Sequence, residues 1–426
     1  MKYFYLKIGK GNWLAEDWLA GRNPLGVPAA ALFFDNHTLQ EYEAGAGKKQ
    51  PRRFVERGKA ENREQTRMVV ISKGTFYLLK PAGEVKFVSG DEIGEYYGFT
   101  VKAMPVEVLK RCSVSEIPLV LAEVASNRYY GSGTFREIKD VGNLMAIDWV
   151  EGRVPGRDEP ARADHWKLFR MRSGRPLKCL GNVGLETLVA KSMEAAGCFV
   201  PAYRGGQVNA VDIFAHNDGD ETIQCGPISV AAGEKVAIQV KRKWTGRGCP
   251  DGADYLVAIG ESDQESRVVG SEELFDLAMN NHAVKQWFLR SLDWLPPKVF
   301  YYPFYRRTWF RLERAIPLSS FAIMTPDNPD GEVVSPETNE KRCREFEEDL
   351  QSRGVSAIRL EAGSKDFTHR ESSYAIDVSL LEAIELGRDF QQVAIFWIES
   401  GELLLVDCET TEQERVALWA DRCVGS

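Results

Sequence analysis

Several chemical devices are missing from this chain. Its eight cysteines stand singly, at 112, 179, 198, 225, 249, 343, 408 and 423, with no Cys-x-x-Cys pair. That argues against a structural zinc site and reads as the reduced thiols of a cytosolic protein. The five histidines lie far apart and form no metal-ligand motif. There is no phosphate-cradling glycine loop of the Walker type, so nucleotide hydrolysis is not supported. No apolar run approaches the length of a membrane span. The opening residues Met1 to Ile8 alternate like a strand and lack the apolar core of a signal peptide. A basic excess is missing too: 54 Lys and Arg face 62 Asp and Glu, for a net charge of −8. The chain as a whole is therefore not a basic nucleic-acid binder.

What is present is locally uneven. Lys48 to Arg67 holds eight Lys or Arg against three Glu, and Lys285 to Arg314 holds seven against Asp293 and Glu313. Such patches can carry phosphate contacts, or can be solvated faces. With 426 residues, 44% of them apolar and 27% charged, the composition is that of a globular protein with two to four domains.

The densest chemistry lies between Gly184 and Val257. Leu185, Leu188, Val189, Met193 and Ala196 recur at three- and four-residue steps, the stripe of a helix packed on a core. Glu186 sits beside that stripe, and Gly197 is a helix stop. Gly205-Gly206 reads as a turn. Val208 to Ala215 then forms an apolar run with Asp212 inside it, Val211 and Ile213 facing the core and Asp212 facing away. In Val236 to Lys241, Val236, Ile238 and Val240 share one face, while Gln239 and Lys241 lie side by side on the other. Pairing of these two strands would bring Asp212 to Gln239 and Lys241. Two carboxylates, an amide oxygen and an ammonium are what phosphodiester hydrolysis assisted by a divalent cation needs. The oxygens suit magnesium, and the lysine can orient water or stabilise developing charge.

This arrangement resembles the PD-(D/E)xK nuclease superfamily, in particular its Mrr-like restriction endonuclease branch, where Gln replaces the second-strand carboxylate before x-Lys. The likeness spans about Pro176 to Arg290, and Ala253 to Ile259 fits the next core strand. It departs at Gln207 and Asn209, where many relatives carry an acid near the Gly-Gly turn. The resemblance implies a restriction-endonuclease-like mixed β-sheet flanked by helices. It also implies catalytic Glu186, Asp212, Gln239 and Lys241, with Mg²⁺ (Mn²⁺ substituting) held by Asp212, Gln239 and Glu186.

Four segments are expected in an α/β (α+β), multidomain chain. Residues 1–175 form a β-rich domain with strands at Tyr3–Ile8, Ala30–Phe34, Met68–Ile71, Thr75–Leu79, Val85–Val88 and Phe135–Ile138. Its aromatics and the Val124–Ile138 stretch give it a resemblance to EVE/PUA-like modules that inspect modified or flipped bases. A polar, turn-rich linker from Arg157 leads into the nuclease domain, residues 176–284, which ends in a helix over Ser271–Met279. Residues 285–317 form a connector rich in aromatics and Arg; its rings suit stacking on unpaired bases or packing between domains. Residues 318–426 form an α/β accessory domain. Its Asn328-Pro329, Asn339, Glu371-Ser372 and Gln391 to Phe396 resemble a widespread bacterial domain of unknown function. Asn328, Asn339, Glu371 and Gln391 either line a small-ligand pocket or serve as caps and turn formers.

The expected protein is a cytoplasmic, metal-dependent DNA endonuclease of restriction or anti-phage defence. It would act on duplex DNA, modified or not, and would not bind membranes. A homodimer is expected because cutting both strands takes two centres, and a small ligand or protein partner is expected at the C-terminal domain. A non-cutting nucleic-acid sensor and an RNA nuclease are the alternatives.

Overall fold

The computed structural model describes residues 1–9, 12–32, 37–45, 48–89, 100–125, 134–153, 174–202, 211–242, 244, 248–260, 263, 267–295, 300, 302–329, 334–409 and 411–424. The Gly205-Gly206 turn, Gln207, Asn209 and most of the 157–176 linker lie outside them. The chain is mixed α/β with several sheets and divides into two compact units, one formed by Met1–Val154 with Gly174–Trp294 and the other including Leu295–Ser426.

In the first unit the strands are β1 (Lys2–Leu6), β2 (Ala29–Leu32), β3 (Thr66–Ser72), β4 (Thr75–Pro81), β5 (Lys86–Ser89), β6 (Thr100–Ser113) and β7 (Phe135–Ile138). They join in the order β2-β6-β4-β3-β1-β7, with β5 also on β6. All six expected strands are found here. The addition is β6, whose mid-run Pro105 argues against a central strand. The structure uses that proline as a change of partner: before it β6 pairs with β2 and β5, and after it with β4. Phe4, Leu6, Met68 and Leu79, all fully or almost fully buried, fill the core.

The helix Val141–Val150 is apolar on every side, so it shows no periodic stripe. Its one acid, Asp148, is completely buried. Asp148 accepts the Tyr3 hydroxyl at 2.8 Å and pairs with Arg153 at 2.7 Å, which ties the helix to β1. Burial and the Asp148 charge together hold the Tyr3 phenol far above its ordinary range.

The second sheet of this unit holds β8 (Phe199–Ala202), β9 (Ile213–His216), β12 (Lys235–Lys241), β13 (Tyr255–Ala258) and β14 (Val268–Val269), in the order β14-β13-β12-β9-β8. A separate hairpin of β10 (Ile223–Cys225) and β11 (Ile228–Val230) is inserted between β9 and β12. The helix Gly181–Ala195 packs on β8, β9 and β12. Gly197, with φ +108°, ends it as expected. The helices Ser271–Asn280 and His282–Ser291 pack on it in turn, so His282–Ser291 is part of this unit rather than the start of a connector. Ser271 is the first helical residue, after Gly270, and its hydroxyl accepts the Gly260 N–H at 2.9 Å.

The second unit is one eight-stranded sheet of β15 (Trp309–Arg311), β16 (Ser320–Met324), β17 (Ala357–Gly363), β18 (Arg370–Ile376), β19 (Ala394–Glu399), β20 (Glu402–Asp407), β21 (Gln413–Leu418) and β22 (Cys423–Val424). Its order is β21-β20-β19-β16-β18-β17-β15-β22. The helices Pro336–Ser352 and Leu380–Asp389 bury one face through Phe346, Leu350, Ile384 and Leu386. Tyr305, Leu312, Ile316, Leu318 and Trp419 cover a second cluster around Phe310, Phe321 and Phe396. The aromatic stretch after Trp294 therefore supplies a strand and part of the core to this sheet. Pro296 and Pro297 lie outside the described residues.

Candidate functional site

Antiparallel pairing of β9 with β12 sets Ile213 opposite Ile238 and Phe214 opposite Ala237. Alternation then places Asp212, Gln239 and Lys241 on the side away from Ile213, Ile238 and Val240. The Asp212 N–H donates to the Ile238 carbonyl at 2.9 Å, which fixes the residue at the mouth of the strand. Its carboxylate Oδ2 gathers three donors: the Gln239 side-chain amide Nε2, the Val240 N–H at 2.8 Å and the Lys241 ammonium at 3.5 Å. Gln239 is 4% exposed, and the side chains of Asp212 and Lys241 are 18% and 39% exposed. A buried amide on a carboxylate, with an ammonium at the solvent edge, makes a small polar centre in an otherwise apolar sheet.

Three of the four expected residues thus come together. Glu186 is half-buried in the second turn of the helix Gly181–Ala195, and is not among the groups that bond Asp212. The oxygen donors suit a hard cation. Among the described residues, no hydrogen bond falls on Asp212 Oδ1. Gln239 presents its nitrogen to Asp212, so its amide must turn over before Oε1 can serve as a ligand. Among the described residues no three His, Cys, Asp or Glu side chains converge as a metal cluster.

The surroundings of this centre were not legible from motifs. Arg242, the residue after Lys241, donates to Asp140 Oδ1 at 2.6 Å and to the Lys178 carbonyl at 2.7 Å. Asp140 also caps the helix Val141–Val150. Glu123 reaches the N-terminus of the helix that carries Glu186. Its Oε2 accepts the Asn182 N–H at 2.7 Å and its Oε1 the Val183 N–H at 3.0 Å, the favourable end of a helix for a carboxylate. Gly181, with φ +76°, is required there: a Cβ would stand 2.5 Å from the Glu123 carboxylate. Residues from the expected recognition domain therefore brace both elements of the centre. The only advance sign was an acid isolated among apolar neighbours at 119–125.

Burial pushes the Glu123 carboxyl above the usual range, against the opposing pull of those N–H groups and of Arg242. A raised folded-state value means that its stabilising contribution is full below the unfolded carboxylate range and is lost as pH rises through the folded value. Glu123→Ala should cost about 1–2 kcal/mol through loss of the cap. Relative to wild type, Glu123→Gln should gain stability as pH rises from acid to neutral. Urea unfolding of both variants across that range checks the two outcomes.

In the basic patch at 48–67, four of the eight cations form ion pairs: Arg53 with Glu137, Lys59 with Glu56, Arg63 with Glu84, Arg67 with Glu151. In the second patch, Arg306 pairs with Glu414 and Arg311 with Glu361. Burial also holds the thiols up, Cys225 and Cys408 to about 12 and Cys343 and Cys423 to about 11, so they are weak nucleophiles at neutral pH.

In the second unit, Asn328 (φ +50°) sits at the hub of a polar cluster. Its N–H donates to Asn339 Oδ1 at 2.9 Å, its Nδ2 to Glu371 Oε1 at 2.5 Å, and its Oδ1 accepts from Val334 N and Asn339 Nδ2. The three side chains line one cavity. Gln391 does not line it. Its neighbour Gln392 donates to the Asp327 carbonyl instead.

Residues 324–395 match a family described as a protein of unknown function, DUF3293. That stretch is similar to DUF3293. It spans the Asn328 cluster and leaves the Asp212 centre outside. No curated protein and no solved structure gives a match.

Proposed function

We propose that the protein is a metal-dependent DNA endonuclease, with its centre at Asp212, Gln239 and Lys241. The observation that carries this reading is the β9–β12 register, which gathers a carboxylate, an amide and an ammonium from separate stretches of sequence at one point. Asp212, with Gln239 turned over and Glu186 assisting, would hold Mg²⁺ or Mn²⁺. Bound there, the ion supplies charge neutralisation on the phosphate and a more acidic water. The chain's own part is positional. The Val240 N–H and the Gln239 amide hold the Asp212 carboxylate in place. Lys241, at the solvent edge, meets the negative charge that develops on the phosphate oxygens as the P–O bond breaks. A role in restriction or anti-phage defence, and a dimer for double-strand cutting, follow from the Mrr-like resemblance.

One feature favours a second reading, a nucleic-acid-binding protein that does not cut. Asp212 already has three donors on one oxygen, an arrangement that holds that oxygen in place without any ion. Incubating the full chain with Mg²⁺ and either duplex DNA or single-stranded RNA separates these readings. The expected outcome is cleavage of the duplex, with RNA cut at least about tenfold more slowly. Preferential RNA cutting would replace DNA with RNA as substrate, and tight binding without cutting would favour the sensor.

A further inference from the structure

The cavity beside the Asn328 cluster is about 600 Å³ and open to solvent, and its described lining runs from Asp327 to Ser372. That lining falls inside the stretch similar to DUF3293. Its floor is built in advance. Asp327, 9% exposed, accepts the Cys343 thiol on Oδ1 at 3.3 Å and the Ser372 N–H on Oδ2 at 3.3 Å. Arg342 fastens the floor from outside by donating to the carbonyls of Pro326 and Phe390. Burial raises the Asp327 carboxyl, with the nearby Glu371 charge acting in the same direction. A buried acid beside a preformed cavity is the usual mark of a binding site.

The wall chemistry narrows the ligand. Val334 and Pro336 are the chief apolar lining, and among the described residues no Phe, Tyr or Trp ring lines the cavity. An apolar ligand would find little to bury against, and a nucleobase no aromatic face to stack on. Among the described residues no three acidic, His or Cys side chains converge to hold a metal. What the walls offer is both signs of charge: the carboxyls of Asp327, Glu340, Glu347 and Glu371, and the guanidiniums of Arg344, Arg359 and Arg370 beside the His369 imidazole, which lies 3.6 Å from Glu371. Glu347 is engaged by the Tyr374 hydroxyl, Arg370 by Glu361, and Arg359 by the Ser372 hydroxyl. Arg344 is exposed and makes no ion pair or hydrogen bond among the described residues, which leaves its planar fork available for a carboxylate.

We propose that this cavity binds a small zwitterion, a free amino acid or dipeptide, with its carboxylate on Arg344 and Arg359 and its ammonium toward Asp327 and Glu371. The proposal is independent of the Asp212 centre. Calorimetric titration of the full chain with the standard L-amino acids, with diglycine and dialanine, and with acetate and ethylamine as single-charge controls tests it. At least one zwitterion should bind saturably, and at least about tenfold more tightly than either control. Affinity should fall at least about tenfold in Arg344→Ala, whose side chain is exposed, and in Asp327→Asn, and should be unchanged in Asp212→Asn. Three results would overturn the proposal: no binding by any zwitterion, acetate binding as tightly as the best one, or undiminished binding to the Arg344→Ala protein.

Discussion

Asp212→Ala should lower metal-dependent DNA cleavage by more than about a thousandfold, because it removes the only carboxylate in the Asp212–Gln239–Lys241 cluster. The same change strips an acceptor from the buried Gln239 amide and from the Val240 N–H, so about 1–3 kcal/mol of stability should go with it. Asp212→Asn separates the two effects. Its amide oxygen can still accept from Val240, so the fold should hold while the negative charge, and with it the activity, is lost. Lys241→Ala should cost less, about a hundred- to a thousandfold, as expected for removing one charge-stabilising donor. Single-turnover cleavage rates, with urea unfolding of each variant alongside, check the set. A Lys241→Ala protein with wild-type rates would remove that residue from the centre.

The second large effect is structural. Phe310 is fully buried, its ring edge-on to Phe396 at 5.1 Å and 5.1 Å from Trp419. Phe310→Ala should cost about 3–5 kcal/mol, the range for deleting a large buried ring, and should lower the unfolding midpoint of the C-terminal unit. The Arg- and aromatic-rich stretch around it had two readings, a platform for unpaired bases or packing. A large stability loss with unaltered binding of single-stranded DNA is expected. Little change in stability together with lost DNA binding would restore the platform.

Alternation and spacing made much of this protein legible. The period of two in Val236 to Lys241 placed Gln239 and Lys241 on one side, and the register of β9 with β12 delivers Asp212 to them. The helix around Glu186 was plain from its apolar stripe. What escaped was whatever depended on distant segments meeting. The helix Val141–Val150 is apolar all round and gave no stripe. In β6, Pro105 interrupts the reading although the strand merely changes neighbours there. The contacts of Glu123 and Arg242 link residues 59 or more positions apart, and nothing local marks them. They also explain why residues 1–153 and the nuclease-like segment fall in one compact unit: capping and ion pairing run between them.

In the C-terminal unit, Asn328, Asn339 and Glu371 were equally readable as caps or as pocket walls; all three line the cavity, with Asn339 in the helix Pro336–Ser352 and Glu371 in β18. Asn328 binds backbone and side chains through its N–H, Nδ2 and Oδ1, and the loop it fixes forms the wall of the cavity. A residue type favoured in turns carries no mark that its turn borders a cavity.

Nicking of supercoiled plasmid by the wild-type chain and by Asp212→Asn, each with Mg²⁺ and with EDTA, tests the central claim most directly. The account predicts nicked or linear product only for wild type with Mg²⁺. Equal cutting by both proteins, or cutting that survives EDTA, would contradict it.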